Sequence, residues 1–383
     1  MTLSRDMDRG LQRVSPGARV ASLTGIRAVA ATLVVATHAA YTTGKYTHGY
    51  VGLAYSRMEI GVPIFFALSG FLLFRPWLAV AAGDRPAPSL RRYGWHRVRR
   101  IMPAYVVTVL LAYLIYHFRT AGPNPGHTWM GLLRNLTLTH VYTDNYYAYL
   151  HQGLTQMWSL AVEVAFYMAL PALAYLLLVT LCRRSWRPAL LLTAIGLLGL
   201  ISPAWLVLVH NTQWLPDGAR LWLPTYLLWF LAGMALAVLQ VMRVRCYGFV
   251  AVPLAVISYF IASTPIAGEP TTSPAGLAQA VVKTVFYAAI AALLIAPPAL
   301  GDNGWYTRFL ASRPMVSLGE ISYEIFLVHL VVMEIAMVEV LRKPVYTGSA
   351  LQLFIATMAL TIPVAWLLHR ATRVPGSWAA GTR

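Results

Sequence analysis

An all-α, polytopic membrane protein with both termini on the cytoplasmic side is the fold class that this 383-residue sequence predicts. Hydrophobic residues make up 58% of the chain and charged residues only 11%, the mean hydropathy is +0.61, and long uncharged runs recur from one end to the other. A bilayer leaves no water for open backbone groups, so runs near twenty apolar residues are read as spanning helices. The third observation is the uneven spread of basic residues between alternate loops, which sets the orientation.

In chain order, ten spans are expected at about 23–42, 58–78, 101–118, 157–181, 188–210, 221–241, 247–264, 275–299, 317–341 and 349–369. Lys and Arg number four in 1–22, six in 79–100, three in 182–187, two in 242–246, two in 300–316 and three in 369–383, twenty in all. The alternate loops hold seven: Lys45, Arg57, Arg119, Arg134, Arg220, Arg342 and Lys343. By the positive-inside rule the first set is cytoplasmic, and an even number of spans returns the C-terminus to the same side. The net charge of +17 therefore marks topology and gives no ground for a nucleic-acid partner.

The domain plan is a cytosolic tail at 1–22, one membrane domain at 23–369 and a second cytosolic tail at 370–383. The N-terminal stretch has four Arg but no apolar core with a cleavage site, so it is read as a tail and not a signal peptide. Cys182 and Cys246 fall at cytosolic helix ends, where a disulfide is not expected, and their spacing suits no zinc site. The longest external loop, about 119–156, carries Tyr142, Asp144, Asn145, Tyr146, Tyr147, Tyr149 and His151. Such residues form either an interfacial aromatic belt or a sugar-binding lip. The sequon Asn135-Leu136-Thr137 is too short a match to carry weight.

Arg27 and His38 lie in the first span. Eleven residues at about 100° each bring a helix back to within roughly 20° of its starting direction, so both side chains share one face, roughly 16 Å apart along the axis. An Arg inside a bilayer costs about 2.5–3.5 kcal/mol on insertion scales, so it faces a partner or a water-filled cavity. Imidazole, with an ordinary pKa near 6.5, suits a general base that takes a proton from an attacking hydroxyl. An acyl-His intermediate is the chemical alternative.

Leu23-Thr24-Gly25-Ile26-Arg27-Ala28 with His38 resembles the opening signature of the acyltransferase-3 family of integral membrane acyltransferases. Four further blocks agree in kind and order: Gly61-Val62-Pro63-Ile64-Phe65-Phe66-Ala67-Leu68-Ser69-Gly70-Phe71-Leu72, Arg97-Val98-Arg99-Arg100-Ile101-Met102-Pro103-Ala104-Tyr105, Trp158-Ser159-Leu160-Ala161-Val162-Glu163-Val164-Ala165-Phe166-Tyr167 and Ser322-Tyr323-Glu324-Ile325-Phe326-Leu327-Val328-His329. The resemblance runs from residue 22 to about 369. It implies O-acylation, most often O-acetylation, of a cell-envelope glycan or glycolipid hydroxyl by acyl-CoA from the cytosol, at the inner or plasma membrane. Many relatives carry Asp where this chain has Pro63, so that carboxylate's role is absent or has moved to Glu59. Some relatives also carry a soluble hydrolase-like domain after the last span; this sequence ends at Arg383, so one domain is expected to transfer the acyl group alone, as a homo-oligomer or with an accessory protein.

Within that resemblance, His38 and Glu163 are the expected catalytic pair, the carboxylate orienting the imidazole from the same outer layer of the membrane. Straight helices put Glu163 about 9 Å and His38 about 6 Å below the outer edge. Arg27, Arg97 and Arg100 are expected to hold the phosphates of coenzyme A at the cytosolic mouth, with Tyr105 packing or positioning. Tyr323, His329 and Trp158 are expected to bind the acceptor. Glu320, Glu324, Glu334 and Glu339 crowd the ninth span and must pair or line water; pairing with Arg75, Lys283 or Arg342 and a role in acceptor binding have equal claim. No His-x4-Asp, His-Glu-x-x-His or P-loop pattern occurs, so neither a metal nor nucleotide hydrolysis is indicated. Two other functions fit the same spans: a transporter or flippase of an envelope precursor, and acylation of a cytosolic secondary metabolite such as a macrolide.

Overall fold

A computed structural model describes residues 16–81, 88–119, 122–269 and 276–373. Most of the expected tails, 1–15 and 374–383, lies outside them. Fifteen α-helices form among the described residues and no strand does. They are α1 Pro16–Thr42, α2 Gly49–Arg57, α3 Gly61–Ala81, α4 Leu90–Phe118, α5 Trp129–Leu136, α6 Trp158–Ala174, α7 Pro188–Gly199, α8 Ile201–Asn211, α9 Leu223–Val241, α10 Gly248–Ala262, α11 Leu277–Leu300, α12 Trp305–Leu310, α13 Arg313–Glu320, α14 Ser322–Ile335 and α15 Ala350–Thr372. The protein is an all-α polytopic membrane protein.

Eight helical segments are long and apolar enough to cross a bilayer, and the pair α13 and α14, bent by 69°, makes a ninth. The span expected at 247–264 is the 15-residue α10, shorter than the roughly 20 residues a bilayer needs. Among the described residues, eight or nine segments are therefore of full spanning length, and the remaining expected span is this shorter apolar helix. Segment ends also shift. The first helix begins at Pro16, inside the expected tail, and the span holding Glu163 begins at Gln152. Residues 152–157 read as loop because they are mostly polar, yet Gly153, Leu154, Gln156 and Met157 are buried in a 3-10 turn that leads directly into α6.

The core is a bundle around α1, α3 and α9. Ile26, Val34, Phe66, Phe71, Phe166 and Phe230 are wholly or almost wholly buried, and Phe230 stacks on both Phe66 (4.4 Å between ring centres) and Phe166 (4.0 Å). Lipid tails are as apolar as these side chains, so close van der Waals packing has to hold the helices together. Helices α3 and α9 meet backbone to backbone through Gly70 and Gly233. A Cβ at Gly233 would lie 1.8 Å from the Ala67 carbonyl oxygen, and one at Gly70 would lie 2.0 Å from that of Phe230. Gly233→Ala is expected to destabilise the protein by about 1–3 kcal/mol by forcing the helices apart. Thermal unfolding in detergent checks this, and an unchanged midpoint would show that the contact is soft.

Three of the four acids of the ninth span are paired, though not with the partners expected, and Glu320 is exposed. Glu334 accepts from Tyr116 and Arg119, and Glu339 pairs with the same Arg119. Glu324 contacts His369 at 2.9 Å, and Lys283 pairs instead with Glu59. Helix α4 ends beside α14 and brings Arg119 within reach of two carboxylates. No such proximity is encoded in the spacing of residues along either helix.

Candidate active site

Helix α1 carries the two ends of the site. Toward its start, Arg27 lines a narrow cavity of about 80 Å³ together with Arg97 and Arg100 from α4, Ser69 from α3, Glu163 and Tyr167 from α6, and Tyr323 from α14. Three guanidinium groups face one carboxylate there, which favours a polyanion. Arg97 stands over the Tyr167 ring at 5.9 Å, and its Nε is a buried donor without a protein acceptor. A buried donor left open costs about 1–3 kcal/mol, so the position is suited to a ligand oxygen. Tyr105 is wholly buried and donates to the Asn135 carbonyl at 2.5 Å, a positioning contact between α4 and α5. Asn135 itself is buried, its amide spent on Gly131, so the sequon is closed to a glycan.

Glu163 belongs to this Arg27 cavity. Its Oε1 accepts from Ser69 Oγ and from Tyr167 Oη, each at 2.5 Å. The expected Glu163–His38 pairing is thus corrected. Eleven residues separate Glu163 from the true start of its span at Gln152, which places it roughly 16 Å deep, well below His38 and within reach of the cavity that Arg27 lines. Its partners, one from the Leu-Ser-Gly stretch of the second block and one four residues along its own helix, were not anticipated. Glu163→Ala is expected to strand both hydroxyls and lower stability by about 1–3 kcal/mol, whereas Glu163→Gln keeps an acceptor oxygen for both. Equal melting points for the two variants would contradict this account of the residue.

At the other end of α1, His38 lines a cavity of about 440 Å³ with Tyr146, Tyr147, Gln156, Trp158, Asp217 and Arg220. Its Nδ1 lies 2.8 Å from the Val34 carbonyl. A carbonyl only accepts, so Nδ1 carries the proton. His329 is fixed in the same way, its Nδ1 donating to the Phe326 carbonyl at 2.7 Å, which leaves its Nε2 as an acceptor. That Nε2 lies 3.1 Å from His38 Nδ1 and shares the same proton. The tautomers follow from the bonding network, and they leave the lone pair of His38 on Nε2, as a base requires.

His329 is 0% exposed and stands behind His38, outside the lining of the cavity in which an acceptor-binding residue was expected. Tyr323 lines the Arg27 cavity and donates to the Ile101 carbonyl at 3.1 Å, on the opposite side from the acceptor role expected. Trp158 lines the His38 cavity and a third chamber beyond it. The histidine pair was hidden because 291 residues separate its members, although both stand in quoted blocks. His329→Leu is expected to lower kcat by about 10²-fold through loss of His38 alignment while changing the KM of either substrate little. A kcat equal to wild type would remove His329 from the site.

The third chamber, about 520 Å³, is lined by Glu59, Pro63, Trp158, Arg220, Tyr226, Trp229, Lys283 and Tyr287. Glu59 forms an ion pair with Lys283 and accepts from Tyr287 Oη at 3.0 Å. Pro63 and Glu59 thus face the same space one helical turn apart. Sequence offered one signal for this pair: a lysine inside a span needs a carboxylate. Among the described residues no group of three or more His, Cys, Asp or Glu is arranged to hold a metal ion.

A polytopic helical bundle with a cationic cavity at one end of a helix and a histidine with an open Nε2 at the other suits a membrane enzyme that brings an anionic substrate to a base. The acyltransferase domain Acyl_transf_3 matches residues 20–370, and the chain belongs to the acyltransferase-3 family. It is 30% identical to acyltransferase MdmB of Streptomyces mycarofaciens, over 93% of this chain and 91% of that protein. It is 28% identical to the peptidoglycan O-acetyltransferase OatA of Listeria monocytogenes, over 50% of this chain but only 29% of that longer protein. No solved structure matches the chain significantly.

Proposed function

We propose that this acyltransferase moves an acetyl or other short acyl group from cytosolic acyl-CoA to a hydroxyl of a cell-envelope glycan or glycolipid, in the cell membrane. The observation that carries the reading is the placement of both half-sites on α1: a three-arginine cavity with the open Arg97 Nε donor, and, eleven residues on, His38 with a free Nε2 lone pair. Coenzyme A is polyanionic up to its pantetheine arm, so its phosphates suit Arg27, Arg97 and Arg100 while the arm carries the thioester toward His38. His38 Nε2 takes the proton as the acceptor oxygen attacks the thioester carbonyl, the C–O bond forms, the C–S bond breaks, and the thiolate leaves with the proton returned to sulfur. The Val34 carbonyl and His329 Nε2, both on the Nδ1 side, stabilise the imidazolium formed in between, much as an acceptor behind the base does in hydrolytic triads.

The test uses purified protein in oriented vesicles with labelled acetyl-CoA on one side and candidate envelope glycans on the other. Labelled ester on the far side is the expected result. Donor consumed only from the outer face would reverse the path and defeat the proposal. A second reading, acylation of a cytosolic secondary metabolite, draws on the same family and the same cavities. Ester formed on the same side as the donor would select it.

A further inference from the structure

We propose that the Glu59 chamber seats a neutral saccharide ring of the acceptor, presenting one of its hydroxyls to His38 next door. This inference rests on the reading of an O-acyltransferase given above. The chamber shares Trp158, Arg220 and Leu221 with the His38 cavity, so a molecule lodged in one reaches the other past three side chains. Its volume of about 520 Å³ falls in the usual range of ligand pockets, roughly 300–1,000 Å³.

The lining matches a sugar in two ways. One wall is an unbroken run of aromatic rings: Trp158 to Tyr226 at 4.9 Å, Tyr226 to Trp229 at 4.8 Å and Trp229 to Tyr287 at 5.9 Å. Trp229 is held in place by its Nε1–H bond to the Thr284 carbonyl, 2.9 Å. Such a wall takes the C–H face of a sugar ring. Against it stand a carboxylate and an ammonium. Lys283 and Tyr287 both bond to Oε1 of Glu59, so Oε2 keeps its lone pairs for a hydroxyl donor, and Lys283 has a further N–H for a hydroxyl acceptor.

Charge selects against an ionic ligand. Glu59 is paired with Lys283, and Arg220 at the doorway lies 3.7 Å from Asp217, so the charged side chains at the chamber and its doorway stand in opposite-sign pairs. Both side chains keep 31% exposure inside the bundle, so the open lone pairs of Glu59 and the further N–H of Lys283 are within reach of a molecule in the chamber.

The experiment is saturation-transfer NMR on the full chain in nanodiscs, with methyl β-glucoside, methyl α-mannoside and methyl N-acetyl-β-glucosaminide as probes and no acyl donor present. Saturable binding of at least one probe is expected, weakened about tenfold or more by Glu59→Gln and by Lys283→Met, since each removes a charge-assisted hydrogen bond. The double swap Glu59→Lys with Lys283→Glu guards against a structural explanation: it is expected to restore the melting point but not the affinity. Absence of saturation with all three probes overturns the assignment, as does unchanged affinity in both single variants or binding restored together with stability in the swap. Because no donor enters the measurement, glycosides that bind to a protein unable to consume acyl-CoA would sink the choice of donor in that reading while leaving the saccharide seat in place. Acyl transfer to a non-sugar acceptor with no glycoside bound would do the reverse.

Discussion

His38→Ala is expected to lower acyl transfer by at least about 10²–10⁴-fold, the usual contribution of a general base, and by more if an acyl-His forms. Expression, membrane insertion and donor binding are expected to persist, because the imidazole makes its Nδ1 contacts to its own helix and to His329 and lies a long way from the Arg27 cavity. Turnover measured with saturating donor, alongside a melting curve, checks this. Near-normal turnover in a well-folded His38→Ala protein would falsify the assignment. His38→Gln controls for lost alignment: its amide can retain the Val34 contact but supplies neither a base nor a nucleophile, so it should be as inactive as alanine.

Removal of Arg97 and Arg100 together, each to Gln, is expected to weaken acyl-CoA binding by about 10²-fold or more, taking each charge-assisted phosphate contact at about 1.5 kcal/mol or above. Acceptor preference is expected to stay the same, because the pair lines the Arg27 cavity and neither residue reaches the His38 cavity or the Glu59 chamber. Added salt is expected to weaken wild-type donor binding, since partly exposed phosphate contacts are screened over about 8–10 Å at 0.1–0.15 M. Equilibrium binding of a fluorescent CoA analogue measures both effects. Donor affinity indifferent to the double substitution and to salt would remove this cavity from the reaction.

Much of this was legible from residue order. Composition and span-length runs determine the all-α membrane class, because an apolar solvent admits few backbone arrangements. The 3.6-residue period puts Arg27 and His38 on one face without reference to any other helix. Five ordered blocks mark the family. Each of these is a local property, carried by neighbouring residues or by a count along the chain.

Tertiary structure decided the rest, and the reason is distance along the sequence. The depth of Glu163 depended on whether Gln152–Met157 is loop or helix, and burial of a polar turn under Phe326 and Leu327, whose carbonyls bond Gln156, settled it as helix. That single change moved the carboxylate from the layer of His38 down to the cavity that Arg27 lines. The partner of His38 proved to be His329, and the partner of Glu59 proved to be Lys283. Both contacts join helices more than two hundred residues apart. Which spans become neighbours depends on where glycines such as Gly70 and Gly233 let two backbones touch, a matter of side-chain volume summed over the whole bundle. Periodicity along one helix says which face is special; only the packed bundle says what that face meets.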